Sequence, residues 1–575
     1  MDCDYLIVGG GSAGCVLAHR LSADPSLRVV LVEAGRDITR DTMPAEIRDS
    51  YPGTAYINPE YQWRGLQVAS IAKGGHNAQG PKVRRPYAQA RILGGGSTIN
   101  GQMANWGVPS DYADWENLGA AGWGWEGVFP YFKKVETDLD LPGPNHGTNG
   151  PIKVRRLPRS QWSRHQAAIG EALSELGYPY LADQNGDWGD GWFALTHSNA
   201  GEARSSAVLE YLDPATRARP NLRIITDAQV SELHFAGKRC TGASYVQGTT
   251  TTRLTARETI LSAGAIHSPA MLLRAGIGPA AELRETGITP LVNLAGVGRG
   301  LMDHPQIALG SYMKPEARMD GSTGRHVHVG LRYTSNIPDA PPGDMFLGAG
   351  SRTAWHKVGS QLGALTVWVN KTFSRDGSVQ LASKDWRVEP EVDFKLLSDR
   401  RDMTRLKEGF HLMARIQMTN ALRAITDTPF PASYTDRARQ VGVVNAKNRF
   451  LTATMAALLE GPAPLRRALM KGFILSRHDF ETCLRDEEAL EDFITDSVAG
   501  IWHASCSCRM GAADNPLAVT DENGRVYGVE GLRVCDASIF PSVPSANTNF
   551  PVMMCAEKIS DGIMAEEQAN RTAVA

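Results

Sequence analysis

The chain has 575 residues, more than one hydrophobic core usually holds, so we expect at least two domains. Its 60 basic and 62 acidic residues leave a formal net charge of −2, which excludes the electrostatic attraction that nucleic-acid binding depends on. A hydrophobic content of 42% and a charged content of 21% exclude a mainly disordered chain.

The first 35 residues predict a βαβ unit. Residues 5–8 form a short apolar run, residues 9–14 read G-x-G-x-x-G, and a second apolar run at residues 28–32 ends at Glu33. In such a unit the glycines allow a pyrophosphate to approach the backbone, and the helix N-terminus supplies N–H donors. Glu33 lies where a carboxylate accepts hydrogen bonds from a ribose, which disfavours NADP and leaves NAD and FAD open.

A second glycine-rich segment, residues 91–107, reads RILGGGSTINGQMANWG. Three consecutive glycines followed by Ser97 and Thr98 suit a backbone that lies against a flat ligand, although a surface loop would read similarly. Farther on, residues 221–225 and 258–261 are typical of short strands. Residues 389–420 have helical periodicity, which we interpret as core packing.

Seven segments carry longer motifs in a fixed order. They are YLIVGGGSAGCVLAHRLS with VVLVEAG near the N-terminus, the segment 91–107, ETILSAGAIHSPAMLLRAGIGP (258–279), GVGRGLMDHP (296–305), WHASCSCRMG (502–511), GVEGLRVCDASIFP (528–541) and SANTNFPVMMCAEKISD (545–561). Together they resemble the glucose–methanol–choline family of flavoprotein oxidoreductases, from residue 4 to about residue 563. Within that family VWVNK (367–371), WHAS and SANTN are most similar to bacterial hydroxymethylfurfural and aryl-alcohol oxidases.

The resemblance implies an α/β fold, with a Rossmann-type FAD-binding domain and an α+β substrate domain whose antiparallel sheet covers the flavin. We predict that residues 1–155, 200–312 and 498–575 form the FAD-binding domain. Residues 156–199 and 313–497 would form the substrate-binding domain. Choline-type oxidases place a flavin-linking histidine before the asparagine of the first signature; here that position is Ile99, so the FAD is expected to be non-covalent.

The family's FAD contacts carry over to this chain residue by residue. Glycines of the first loop would face the pyrophosphate, Glu33 the adenosine ribose, the second glycine-rich segment the isoalloxazine or ribityl side, and the backbone of Val230 the adenine. The predicted cofactor-binding set is Gly9, Gly11, Ser12, Gly14, Glu33, Gly95, Ser97, Asn100, Val230, Asp536 and Ala537.

Oxidising an alcohol by hydride transfer requires a base for the hydroxyl proton and an electron sink, which flavin N5 would provide. The resemblance selects His503 as the base and Asn547 as its partner, with Asn549 as the nearby rival. It also implies that Met103, Trp368 and Trp502 line the substrate pocket. Two indoles suit an aromatic or furan alcohol, although both could instead be core tryptophans.

The predicted function is therefore FAD-dependent oxidation of primary alcohols of aryl or furfuryl type. Oxygen would be the acceptor and H₂O₂ a product, and the aldehyde hydrate could be oxidised further to the acid. The main alternative is a dehydrogenase of the same family that uses a quinone or another electron acceptor. A cyanohydrin lyase with a redox-idle flavin, and a flavin-binding protein with an inactive site, are the remaining alternatives.

The eight cysteines are scattered, which argues against a disulfide framework. The C-x-C at Cys506 and Cys508 is a poor match to zinc-site spacing, so we expect no metal. No apolar run approaches the ~18 residues of a membrane span, and the acidic N-terminus does not resemble a signal peptide. We predict a cytoplasmic protein without a membrane span or a nucleic-acid partner.

Overall fold

The computed structural model describes residues 1–69, 84–432, 440–475 and 478–574. Two seven-stranded sheets dominate it, and each is packed against its own cluster of buried apolar side chains. This arrangement confirms the predicted α/β fold with a second, antiparallel sheet.

The first sheet is built around the opening strand, Cys3–Val8, which pairs in parallel with Val29–Val32 and Thr250–Leu261. Its side chains are nearly all buried because helices and loops cover both faces, as in other parallel sheets. The remaining strands are Leu222–Ile225, Leu532–Val534, Arg239–Gln247 and Ala228–Ala236.

The predicted βαβ unit is confirmed. The helix Ser12–Leu21 begins directly after Gly11 and packs against the last helix, Asn549–Val574. The predicted strands at 221–225 and 258–261 correspond to Leu222–Ile225 and to the end of Thr250–Leu261. The carboxyl ends of the parallel strands therefore lie next to the glycine-rich loop, where α/β sheets bind ligands.

The second sheet is antiparallel throughout. Its strand order is Thr426–Ala432, Pro305–Met313, Leu362–Val369, Met345–Gly350, Val327–Tyr333 and Gly191–Ala194, and Ala499–Gly500 pairs with Pro305–Met313. Strand Pro305–Met313 spans the domain boundary predicted at residue 312, and the division into domains stays a prediction.

The helix Arg400–Met418 packs on the second sheet. Phe410, Leu412, Met413 and Ile416 are all buried in that core, which confirms the interpretation of residues 389–420 as core packing. In the described ranges, no helix combines the length and the apolar character needed to cross a membrane.

The remaining strands form three smaller sheets. The five-stranded sheet contains Arg299–Leu301, Gly377–Gln380, Glu391–Asp393, Gln67–Ala69 and Arg84–Pro86, and the four-stranded sheet contains Glu136–Asp138, Ile152–Arg155, His197–Ala200 and Ala203–Arg204. The two-stranded sheet pairs Ile277–Gly278 with Val292–Asn293. The other α-helices are Ala45–Arg48, Gly53–Tyr56, Gly96–Ile99, Pro109–Asn117, Trp125–Val135, Arg164–Glu175, Ala207–Glu210, Pro214–Arg217, Gly264–Arg274, Ala280–Glu285, Asn420–Ile425, Ala446–Leu459, Ala463–Leu469, Phe480–Arg485 and Glu487–Ser497. Short 3₁₀ turns lie at Pro59–Tyr61, Arg159–Gln161, Pro315–Ala317, Gly359–Gln361 and Ala537–Ile539.

Candidate active site

A long cavity runs from the carboxyl ends of Cys3–Val8 and Val29–Val32 to the WHAS segment. Most of the residues predicted from the sequence line this one cavity. They are Gly9, Gly11, Ser12, Glu33, Gly95, Asn100, Met103, Val230, Trp502, His503, Asp536, Ala537 and Asn547. Three predicted residues, Gly14, Ser97 and Trp368, lie outside its lining.

Glu33 is held at the end of the cavity that the first loop encloses. Its two carboxylate oxygens accept hydrogen bonds from the backbone N–H groups of Gly10 (2.7 Å) and Gly35 (2.6 Å). Burial raises the pKa of Glu33. Each oxygen keeps a lone pair for another donor, and Val230 lines the same part of the cavity. Glu33 and Val230 therefore fit the ribose and the base of a nucleotide, respectively.

Gly11 leaves open space where the pyrophosphate of a dinucleotide would lie. A Cβ built on it would meet only the carbonyl oxygen of Ser262, 3.8 Å away. Ser12 follows at the first position of the helix, so its N–H belongs to the unsatisfied donors of a helix start. The space beside Gly11 and the N-terminus of helix Ser12–Leu21, here called the cradle, fits an anionic, dinucleotide-sized group.

Gly14 and Ser97 support the cradle from behind it. A Cβ on Gly14 would lie 2.0 Å from the carbonyl oxygen of Gly9, so this glycine is needed where the helix packs against the loop. The hydroxyl of Ser97 donates to the carbonyl of Gly94 (2.6 Å) and accepts from the N–H of Ala207 (3.1 Å). The expectation that both residues face the ligand is corrected accordingly.

Asp536 closes the opposite side of the cradle. It accepts hydrogen bonds from the N–H of Gly264 (2.9 Å), the hydroxyl of Ser268 (2.5 Å) and the N–H of Ser538 (2.8 Å). Burial raises the pKa of this carboxyl group. Its contacts fix the start of helix Gly264–Arg274 beside Ala537, on the cavity wall.

His503 lies between two partners at the other end of the cavity. Its Nδ1 is 2.8 Å from Nδ1 of His304, and its Nε2 is 3.1 Å from the amide nitrogen of Asn547. Asn549 instead accepts a hydrogen bond from the hydroxyl of Ser12 (2.7 Å), beside the cradle. The partner of His503 is thus Asn547 and not Asn549.

These contacts determine the tautomers of both imidazoles. Nε2 of His304 lies 3.1 Å from the carbonyl oxygen of Pro544, which can only accept, so this nitrogen carries the hydrogen. Burial lowers the pKa of His304 to about 4 and that of His503 well below its usual value, so both rings are neutral. His304 Nδ1 therefore accepts from His503 Nδ1, which leaves His503 Nε2 as an unprotonated base.

His304 was not predicted as a site residue, although it lies in the motif GVGRGLMDHP. It is fully buried and is separated from His503 by 199 residues in the sequence. The motif was the only signal in the sequence. The role of the histidine within it depends on a contact that only the fold creates.

Asp303, the residue before His304, also went unpredicted. One of its oxygens accepts from the N–H groups of His304 (2.8 Å), Ile501 (3.1 Å) and His503 (3.0 Å), and the other accepts from the Tyr87 hydroxyl (3.0 Å). Between Ile501 and His503, Trp502 has a left-handed φ of 62°, which is strained for a non-glycine residue. Asp303 clamps the backbone that positions His503.

The hydrogen bonds of Asp303 predict that activity falls at low pH, which gives the pH profile an acid limb. Burial raises the pKa of Asp303 to about 6, so the carboxylate is ionised above that pH and gains a proton below it. Protonation weakens its three backbone hydrogen bonds, and we expect kcat/KM to fall as the pH drops below about 6. Asp303→Asn, which does not titrate, should show low activity without this limb. A wild-type profile that is flat from pH 5 to pH 7 would contradict the clamp.

Two family models, both described as GMC oxidoreductase, match residues 3–306 and 372–556. The chain belongs to the GMC oxidoreductase family. It is 42% identical to the 5-(hydroxymethyl)furfural oxidase of Methylovorus sp. (strain MP688), over 98% of this chain and 99% of that relative. It is 29% identical to the choline oxidase of Arthrobacter globiformis, over 99% and 95% of the two chains.

A solved structure supports the family assignment at the level of the fold. Pyridoxine 4-oxidase from Mesorbium loti superposes with a TM-score of 0.78 at 26% identity, and the match covers 97% of this chain and 99% of that one. The chain is therefore an FAD-dependent oxidase or dehydrogenase of the GMC oxidoreductase type.

The two tryptophans predicted for the pocket of this GMC oxidoreductase have different surroundings. Trp502 is 51% exposed and faces the cavity near Tyr56, with ring centroids 6.4 Å apart. Trp368 is buried and stacks on Phe346, with centroids 4.5 Å apart. Together with Phe193 and Leu195 it forms a small core cluster, against which Met103 packs. Trp368 thus supports the pocket wall, and the prediction that it lines the pocket is corrected.

The cysteines beside the base are structural in this GMC oxidoreductase. Cys506 and Cys508 are fully buried free thiols whose pKa values are raised by burial, which disfavours the reactive thiolate. In the part of the chain that the structure describes, the one group of metal-type ligands is Glu136, Asp138 and His146, outside the cavity. Its members are hydrogen-bonded to one another or to Arg156.

Proposed function

We propose that the protein oxidises primary alcohols of aryl or furfuryl type, with FAD as cofactor and His503 as the base. The observation that supports this most directly is the tautomer of His503, whose unprotonated Nε2 lies on the cavity wall. The cradle around Gly11, Glu33 and Asp536 fits the dinucleotide part of the cofactor.

In the proposed reaction, the side chains position the alcohol and take its proton. Bound FAD would supply the electron sink for the hydride that leaves the alcohol carbon. His503 Nε2 would accept the hydroxyl proton after the alcohol hydroxyl takes the place of the Asn547 amide N–H at the lone pair of this nitrogen. Oδ1 of Asn547 is buried without a partner in the described structure, so it can accept a hydrogen bond from a bound ligand.

The pocket side of the cavity favours a flat, apolar substrate. Trp502, Tyr56, Met103 and Ile501 line it around His503. An aromatic or furan ring gains stacking and apolar burial against such side chains. The relative from Methylovorus, named as a 5-(hydroxymethyl)furfural oxidase, acts on such a ring. A hydrated aldehyde presents a hydroxyl to the same base, so oxidation to the acid follows by the same chemistry.

Replacing Trp502 tests this substrate class. We expect Trp502→Ala to raise KM for furfuryl or benzyl alcohol about three- to tenfold, because one aromatic contact contributes about 0.5–1.5 kcal/mol. The KM for an aliphatic alcohol such as 1-butanol should change less. Trp368→Phe is the matched control, since that ring packs behind the wall and should affect thermal stability rather than KM. Equal changes for both alcohols would contradict the aromatic pocket.

The electron acceptor separates the oxidase from the dehydrogenase alternative. An oxidase produces one H₂O₂ per alcohol consumed in air and gains little from an added dye. A dehydrogenase turns over rapidly only with a quinone or dye and yields little peroxide. We favour the oxidase because the relatives that match over nearly their full length include oxidases that use oxygen.

We also propose that the FAD is held without a covalent bond. Ile99 lines the cavity where choline-type oxidases carry the linking histidine, and its side chain offers no nucleophile. Acid precipitation should therefore release all of the yellow cofactor into the supernatant. The two-domain division given above and a reducing, cytoplasmic location belong to the same proposal, and the eight cysteines, all free, support the location.

A further inference from the structure

Arg204 lies directly beneath the second glycine-rich segment. It belongs to the short strand Ala203–Arg204, and its side chain is 3% exposed. Its Nη1 donates to the carbonyl oxygens of Ser97 (3.2 Å) and Asn100 (2.9 Å), and to Oδ1 of Asn100 (3.1 Å). The guanidinium is therefore tied to the loop that the cavity exposes to its ligand.

This buried cation has no carboxylate partner in the described part of the chain. Its Nε and Nη2 are buried without hydrogen bonds. Nearby Arg325 has its own partner, Glu202, at 3.1 Å. Burial and the charge of Arg325 lower the pKa of Arg204 to about 9, so the group stays charged at neutral pH.

Other deeply buried arginines have partners for their guanidinium nitrogens. Arg332 donates to the backbone carbonyls of Gln184, Asp187 and Gly189. Two more arginines are paired with carboxylates. Arg405 contacts Asp344 (2.8 Å) and Asp402, and Arg533 contacts Glu258 and Glu566. An unpaired charge in the interior is costly unless something compensates for it. At Arg204 two nitrogens lack a partner among the described residues, so a bound group that carries negative charge would compensate for this cation.

Arg204 also determines how Asn100 meets the cavity. Oδ1 of Asn100 accepts from Arg204 and from the backbone N–H of Gln102 (3.1 Å), so the amide nitrogen is the end left to donate. Asn100 lines the same cavity as Gly11 and His503. In the proposed function this stretch faces the flavin ring.

We propose that Arg204 is a positioning residue that also supplies the positive charge for the reduced cofactor. The inference rests on the proposed function: the alcohol gives a hydride to the flavin and a proton to His503, so the flavin gains one negative charge. Arg204 compensates for that charge and holds the Asn100 amide toward the ring. It thereby makes flavin reduction more favourable.

The two-electron midpoint potential of the bound flavin tests this role independently of turnover. We expect Arg204→Gln to lower it by about 30 mV or more, which corresponds to a tenfold shift of the equilibrium toward the oxidised form. Arg204→Lys keeps the charge and should restore most of the difference. Arg332→Gln is the matched control. That arginine is also buried and bonded to backbone carbonyls, but those carbonyls belong to Gln184, Asp187 and Gly189 and not to the second glycine-rich segment, so the potential should not change.

A second variant avoids the removal of a buried arginine. Asn199 faces Arg204 across the hairpin, is buried, and its Oδ1 has no partner among the described residues. Asn199→Asp gives Arg204 a counter-charge across the strand pair without altering the cavity lining, so the potential should again fall.

The possible outcomes distinguish a failure of this inference from a failure of the proposed function. Potentials of Arg204→Gln and Asn199→Asp equal to that of the wild type would overturn the inference. A lower FAD affinity in Arg204→Gln with an unchanged potential would also overturn it, because the charge would then serve the pyrophosphate. A wild-type protein that binds no flavin would overturn the proposed function itself.

Discussion

We expect alcohol to reduce the bound flavin about 10²–10⁴-fold more slowly after His503→Gln, because that range is what a positioned general base contributes. Glutamine fills part of the imidazole volume but cannot accept the hydroxyl proton. The measurement is the rate of flavin bleaching in a stopped-flow instrument without oxygen, at a saturating alcohol concentration. The effect should appear in the rate constant more than in substrate affinity.

The control for His503→Gln is cofactor binding. The variant should keep the flavin spectrum, because the hydrogen-bond partners of His503 are His304, Asp303 and Asn547 and not the residues around Gly11. His304→Leu should give a smaller loss, since the base remains but the acceptor that fixes its tautomer is removed. Near-normal bleaching by His503→Gln would show that another group takes the proton.

Gly11→Val is expected to yield a folded protein with little or no bound FAD. The new side chain would project into the open cradle, where the nearest heavy atom is 3.8 Å from the Cβ position. The fold should therefore tolerate it, whereas the pyrophosphate should not. FAD affinity should fall about 5- to 150-fold, because overpacking costs about 1–3 kcal/mol and each 1.4 kcal/mol is tenfold.

Gly14→Ala provides the contrast to Gly11→Val. Its Cβ would lie 2.0 Å from the carbonyl oxygen of Gly9, inside the packing of helix and loop. This variant should lose thermal stability, or fail to fold, whether or not FAD is present. Full FAD affinity in Gly11→Val, measured by titration of the cofactor-free protein, would contradict the placement of the dinucleotide.

Local pattern was sufficient to predict the dinucleotide end of the site. The strand, loop and helix around Gly9, Gly11 and Glu33 are neighbours in sequence, so their spacing encodes their geometry. His503 and Asn547 were predicted from motifs, and the structure brings them together at 3.1 Å. The motif did not predict which nitrogen of His503 is unprotonated.

The rest of the site depends on contacts between distant segments. His304, Asp303 and Arg204 act through partners about 100 to 200 residues away, which no local pattern encodes. Trp368 was misplaced for a different reason: successive residues of a strand face opposite sides of the sheet, and composition does not say which side meets the cavity. Its stacking on Phe346 places it in the small core cluster with Phe193 and Leu195.

The most direct test of the central claim is to mix the purified yellow protein with 5-hydroxymethylfurfural without oxygen and then admit air. The account predicts bleaching of the flavin band, followed by rapid recovery with one H₂O₂ per flavin. Bleaching without recovery in air would favour the dehydrogenase alternative. A flavin that never bleaches with this or any aryl alcohol would contradict alcohol oxidation at His503.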